Sequence, residues 1–142
     1  MDKDLKRMII LENYQNPKNK QIPTEEGYVK INSNNVSCID NLDIYVKTEN
    51  DIIKDIKYEG EACVISISST SIITNLLIGK TIEEAKEILE NYHNMIEEKP
   101  YNKDILKEAL VYDDIYKQPS RKTCATLATR GLSKLLNETT EK

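Results

Sequence analysis

Three cysteines, Cys38, Cys63 and Cys124, and one carboxylate, Asp40, two residues beyond the first of them, are the side chains whose types could do chemistry together. Three thiols cannot all pair with one another, and a reducing compartment keeps them free, so thiol chemistry, metal ligation and plain burial are the readings open to them. A tetrahedral zinc takes four N, S or O donors, and three thiolates with one carboxylate make such a set. Asp40 can share an ion with Cys38 only if the stretch "NNVSCIDN" turns instead of running extended. Such a site stays net negative with a divalent cation, and Arg121 and Lys122, just ahead of Cys124, are the basic pair that could offset it. There is no C-x-x-C knuckle, and cysteine is among the most buried residue types, so spacing by itself does not separate ligation from burial.

The elements that must position these groups belong to a chain of 142 residues, expected to form a single domain over 1–142 and to bury about 70% of its unfolded surface. Apolar residues make up 39% and charged residues 31%, as in ordinary globular proteins. A net charge of −4 with no dominant Lys/Arg stripe argues against nucleic acid as a partner. The N-terminal "MDKDLKRMII" lacks the apolar core of a signal peptide, and the longest apolar stretch, residues 62–79, is diluted by Ser and Thr. No membrane association and a cytoplasmic location are therefore expected.

Helical spacing of Leu5, Met8, Ile9 and Glu12 predicts an amphipathic helix over 4–14, ended by Pro17. Strand signals follow at 27–33 and in "LDIYVK", 42–47, where Leu42, Ile44 and Val46 alternate with polar residues; "TEND" turns the chain into a third strand, so 42–59 reads as a hairpin. Residues 62–78 are read as a helix, Thr81 and Glu84 as a capping box opening another, 101–117 as one further helix, and 120–137 as the last. This places Cys38 in a loop, Cys63 at a helix start, and Cys124 in the first turn of the last helix, where the dipole would bias the latter two toward thiolate. Ser68, Ser69 and Ser71 have no histidine at a recognisable spacing and are read as small groups that allow close helix packing. His93 is read as a solvated or partly packed surface residue.

The segments "ENYQNPKNK" (12–20), "SCID" (37–40), "YEGEACVISISSTSIIT" (58–74), "GKTIEEA" (79–85) and "RKTCATLATRGL" (121–132) occur in the order seen in the iron–sulfur cluster assembly proteins of the IscU, NifU N-terminal and SufU family. The chain resembles that family over nearly its whole length. It looks like the SufU branch: 60 residues lie between Cys63 and Cys124, making room for that branch's helical insertion; Thr123 stands where IscU has histidine; and Arg121 matches the branch's arginine. The resemblance implies a compact α+β fold with a three-stranded antiparallel sheet packed by helices. It also implies a zinc site made by Cys38, Asp40, Cys63 and Cys124, supported by Arg121. The partner it implies is a PLP-dependent cysteine desulfurase of the SufS type, with downstream iron–sulfur assembly components as recipients.

A zinc-dependent sulfur acceptor follows, with Cys38 receiving persulfide sulfur because a loop cysteine can swing. The alternative is a scaffold that binds an iron–sulfur cluster transiently through the same residues; Thr123 in place of histidine favours transfer. Three positions depart from the family pattern. Ile39 and Ala62 replace glycines, which puts the loop geometry in question, and Asn13-Tyr14 replaces His-Tyr, which removes a polar contact.

Overall fold

A computed structural model of the chain describes residues 1–35 and 39–140. Three consecutive strands, β1 (Val29–Asn34), β2 (Asn41–Glu49) and β3 (Ile52–Glu61), form one antiparallel sheet in the order β1-β2-β3. Five α-helices, α1 (Lys3–Gln15), α2 (Val64–Leu77), α3 (Ile82–Ile96), α4 (Pro119–Ala125) and α5 (Leu127–Thr140), pack with it. This is the expected α+β architecture.

The alternation in β2 is realised, with Leu42, Ile44 and Val46 all buried on the core face. In β3, Ile53 and Ile56 are both buried although they do not fit a period of two. A register shift between Lys47 and Thr48 explains this: Lys47 faces Asp55 and Thr48 faces Ile53, so Lys54 is the extra residue of a bulge. The hairpin closes through Asn50 and Asp51 at φ 53° and 63°, the left-handed pair that a tight type I′ turn requires.

At the other end of the hairpin Gly60, at φ +140°, lies opposite Leu42. A Cβ there would stand 2.1 Å from the Asn41 carbonyl oxygen, so only glycine lets β2 and β3 close up just before Cys63. Ala62 is not among the residues of positive φ; the left-handed backbone falls on Gly60 instead.

Helix α2 is central and almost wholly buried despite its hydroxyls. Ser69 and Thr70 donate to the Ser66 carbonyl and Thr74 to that of Ser71, so their burial leaves no polar atom without a partner. The Ser71 hydroxyl also donates to Asn13 Oδ1 at 2.7 Å and accepts the Lys18 N–H at 2.9 Å, drawing α1 close. Asn13 thus makes a polar contact with α2. The apolar face expected on α1 is largely turned outward: Leu5, Met8, Leu11 and Tyr14 are exposed, and Ile9 and Ile10 pack on the core.

The capping box of Thr81 and Glu84 is present at the start of α3. The single helix expected over 101–117 is replaced by three 3₁₀ turns, Lys103–Ile105, Lys107–Tyr112 and Ile115–Lys117. Leu106, Ala109, Tyr112 and Ile115, buried in this segment together with Val111, recur every third position, the 3₁₀ period, and Lys107 at φ 49° breaks any continuous helix. The last expected helix is likewise divided, because Thr126 at φ −111° caps α4 and the chain restarts as α5. Among the described residues no helix is long and apolar enough to cross a membrane.

Candidate metal centre

Asp40, Cys63 and Cys124 come from three segments distant in sequence, and one ligand atom from each lies within 4.8 Å of the others. Cys38, the fourth expected donor, lies outside the described residues.

Cys63 is the N-cap of α2, its Sγ 3.5 Å from the Ser66 N–H. Asp40 immediately precedes β2, is 1% exposed, and is held from every side. Its Oδ1 accepts the Cys63 N–H at 2.8 Å, and its Oδ2 accepts the Ser66 hydroxyl at 2.6 Å and the Asn35 amide at 3.1 Å. The Cys63 thiol points at the same Oδ2 from 3.9 Å. Asn35 also donates its backbone N–H to the Asp40 carbonyl at 3.0 Å, so two bonds tie Asn35 to Asp40. Burial opposes ionisation of Asp40, but the bonds from Ser66, Cys63 and Asn35 outweigh it and hold its carboxyl below the usual range.

Cys124 lies in the last turn of α4, not in the first turn of the last helix, because α4 already begins at Pro119 and ends at Ala125. Its thiol donates to the Ser120 carbonyl at 3.7 Å and gains no help from a helix N-terminus. Burial, followed by the neighbouring Cys63 and Asp40, pushes it up to about 12, the reverse of the expected thiolate bias. Two sulfurs and one carboxylate oxygen at this distance form a donor set suited to a divalent thiophilic cation.

Ile39 is 72% exposed, so its branched side chain does not fill the space between the donors. Arg121 is exposed and, among the described residues, makes no side-chain hydrogen bond or ion pair. Lys122 pairs with Glu97 at 3.0 Å. The cation tied into the site is Arg130, whose Nη2 donates to Asn35 Oδ1 at 2.8 Å and to the Thr123 carbonyl at 3.0 Å. Neither Arg130 nor Ser66 was expected here. Ser66 sits one helical turn from Cys63, a usable signal, whereas Arg130 lies beyond the break at Thr126 and 95 residues from Asn35. His93 is partly packed, with Nε2 2.8 Å from the Thr129 hydroxyl, and burial and then Arg130 lower its pKa.

The model of the NifU-like N-terminal domain matches residues 6–125. The chain is 34% identical over 131 residues to the zinc-dependent sulfurtransferase SufU of Bacillus subtilis, covering 92% of this chain and 88% of that protein. It is 31% identical over 125 residues to the iron–sulfur cluster assembly scaffold protein IscU of Thermotoga maritima, covering 88% of each. A crystal structure from Fervidobacterium islandicum AW-1, of a protein described as a candidate iron–sulfur cluster assembly scaffold for the SUF system, superposes with a TM-score of 0.80. That match has 30% identity and spans 87% of this chain and 90% of the other. The N-terminal part of a NifU-like protein from Brucella abortus superposes with a TM-score of 0.83 at 18% identity over 94% of this chain and 93% of its own, a likeness of fold.

Proposed function

The chain belongs to the family of NifU-like N-terminal domains, and from that premise we propose that it serves iron–sulfur cluster assembly as a zinc-dependent sulfur acceptor, taking persulfide sulfur from a PLP-dependent cysteine desulfurase. Cys38, Asp40, Cys63 and Cys124 are the residues that would hold the metal. Zinc bound there supplies the positive charge that keeps thiols ionised at neutral pH. In the transfer step the Cys38 thiolate attacks the outer sulfur of the donor's cysteine persulfide. A new S–S bond forms on Cys38, the donor's S–S bond breaks, and the donor cysteine leaves as thiolate while the proton stays on the transferred sulfur. Charge and redox state balance without a further reactant.

The observation that carries this reading is the condition of Asp40. Its two oxygens already have three protein donors in Cys63, Ser66 and Asn35. A carboxylate so provided can leave a cation without becoming a buried unpaired charge, which makes ligand exchange at the centre easier than in an all-thiolate site. The rival reading, a scaffold holding an iron–sulfur cluster on the same donors, is supported by the names of the Thermotoga and Fervidobacterium relatives. Against it, Thr123 turns its hydroxyl back to the Ser120 carbonyl at 2.9 Å and supplies no donor comparable to a histidine.

Elemental analysis of protein purified without added metal, with desulfurase turnover measured beside it, is the test. One equivalent of zinc in the wild type, with Cys38→Ala keeping metal and fold but no longer enhancing turnover, is the expected result. Undiminished enhancement by Cys38→Ala would remove Cys38 as the acceptor, and iron with acid-labile sulfide in place of zinc would favour the scaffold.

A further inference from the structure

Two of the three donors that the described residues bring together, Asp40 just before β2 and Cys124 on the short helix α4, arrive on separately built pieces. One side chain joins them. Arg130 donates from Nη2 to Asn35 Oδ1 at 2.8 Å and to the carbonyl of Thr123, the residue before Cys124, at 3.0 Å. Its Nε reaches the Thr126 hydroxyl at 3.3 Å, at the break between α4 and α5. Asn35 is 9% exposed and passes the contact on, its amide nitrogen donating to Asp40 Oδ2 at 3.1 Å.

The direction of this chain follows from the chemistry of its members. A guanidinium only donates, so it fixes the Asn35 carbonyl oxygen toward itself and the amide NH₂ toward the carboxylate. Without it the amide is free to turn over and set its oxygen against the Asp40 charge. We infer that Arg130 is a positioning residue that sets the spacing between the Asp40 carboxylate and the Cys124 thiol, and through it the affinity of the centre for a divalent thiophilic cation. This rests on the metal reading proposed above. A lysine would keep the charge and three donors on one nitrogen, but it lacks the second nitrogen with which Arg130 also holds the Thr126 hydroxyl while Nη2 serves Asn35 and the Thr123 carbonyl.

Zinc affinity, measured by competition with a chromophoric chelator, tests the inference without reference to sulfur transfer. Arg130→Met is expected to keep its far-UV circular dichroism and to bind zinc about 10- to 100-fold more weakly, the usual effect of losing a partner behind the ligands. Arg130→Lys is expected to lose less. Adding Asn35→Ala to Arg130→Met should weaken binding little further, because the same contact is already broken. Wild-type affinity in Arg130→Met, or losses from the two substitutions that simply add, overturns the inference.

A wild-type protein with no affinity for zinc defeats the zinc reading instead, and the clamp is then judged in metal-free protein. In a Cys38→Ser background the only thiols are Cys63 and Cys124, and a trivalent arsenical captures them only when they are close. Capture several-fold slower with Arg130→Met supports the clamp, and equal rates overturn it.

Discussion

Asp40 and Cys124 face each other with opposite departures from their ordinary acidity, and each predicts one limb of a pH–stability profile for the metal-free protein. The Asp40 carboxyl is lowered in the folded state, so the unfolded chain takes up its proton first and stability is lost as pH falls from about 4 through the lowered value. The Cys124 thiol is raised to about 12 from 9.0, so its contribution is complete below pH 9 and lost as pH rises from there toward 12. Urea denaturation followed across pH should show both limbs, with Asp40→Asn flattening the acid one and Cys124→Ser the alkaline one. Unchanged limbs in these variants would show that other groups govern them. Ser66→Ala removes the shortest bond to Asp40 and should destabilise the metal-free protein by about 1.5–3 kcal/mol, the usual range for a hydrogen bond to a charged group. The donor types were legible in the sequence because few residues ligate soft cations. Ser66 had a local signal, one turn into the helix that Cys63 opens, but Asn35 and Arg130 had none, since each matters only through a contact that the fold creates.

Among the elements, the β2–β3 pairing carries Asp40 and Cys63 to the same end of the sheet, and Gly60 is where that pairing is most constrained. Gly60→Ala forces a residue into φ +140° and a Cβ onto the Asn41 carbonyl. The backbone term alone is about 1–3 kcal/mol, and the clash adds to it. The midpoint of chemical denaturation should fall accordingly, and the Cys63 amide resonance should shift as its bond to Asp40 is disturbed. A midpoint equal to wild type would mean that the strands separate there without penalty. The hairpin itself was readable from alternation in "LDIYVK", and α3 from its capping box, because both signals are local. The residues 101–117 misled because Tyr101, Ile105, Leu106, Ala109 and Leu110 fall at α-helical spacing, whereas the chain there forms short 3₁₀ turns interrupted at Lys107. The break at Thr126 carries no glycine or proline to announce it, and it is the break that moves Cys124 from a helix start to a helix end.

For the molecule as a whole, the donors close long stretches of chain onto one point: Asp40 before β2, Cys63 at the junction of β3 and α2, and Cys124 at the end of α4. In the unfolded chain they have no reason to meet, so a cation that binds them together binds the native state and stabilises it by mass action. At a hundredfold excess over the dissociation constant this amounts to about 2.7 kcal/mol, which for a chain of this size corresponds to roughly 5–10 °C in thermal midpoint. The buried cluster built from α2, α3 and the core faces of β2 and β3 does not depend on the donors, so the stripped protein should remain folded. Hydrogen exchange should locate the difference. On chelation, amides of α4 and of the loop before β2 should exchange faster, while those in the middle of α2 and in the β2–β3 ladder keep their protection. Stripped and zinc-loaded proteins with the same midpoint and the same exchange pattern would mean that Asp40, Cys63 and Cys124 are neighbours that share no ion.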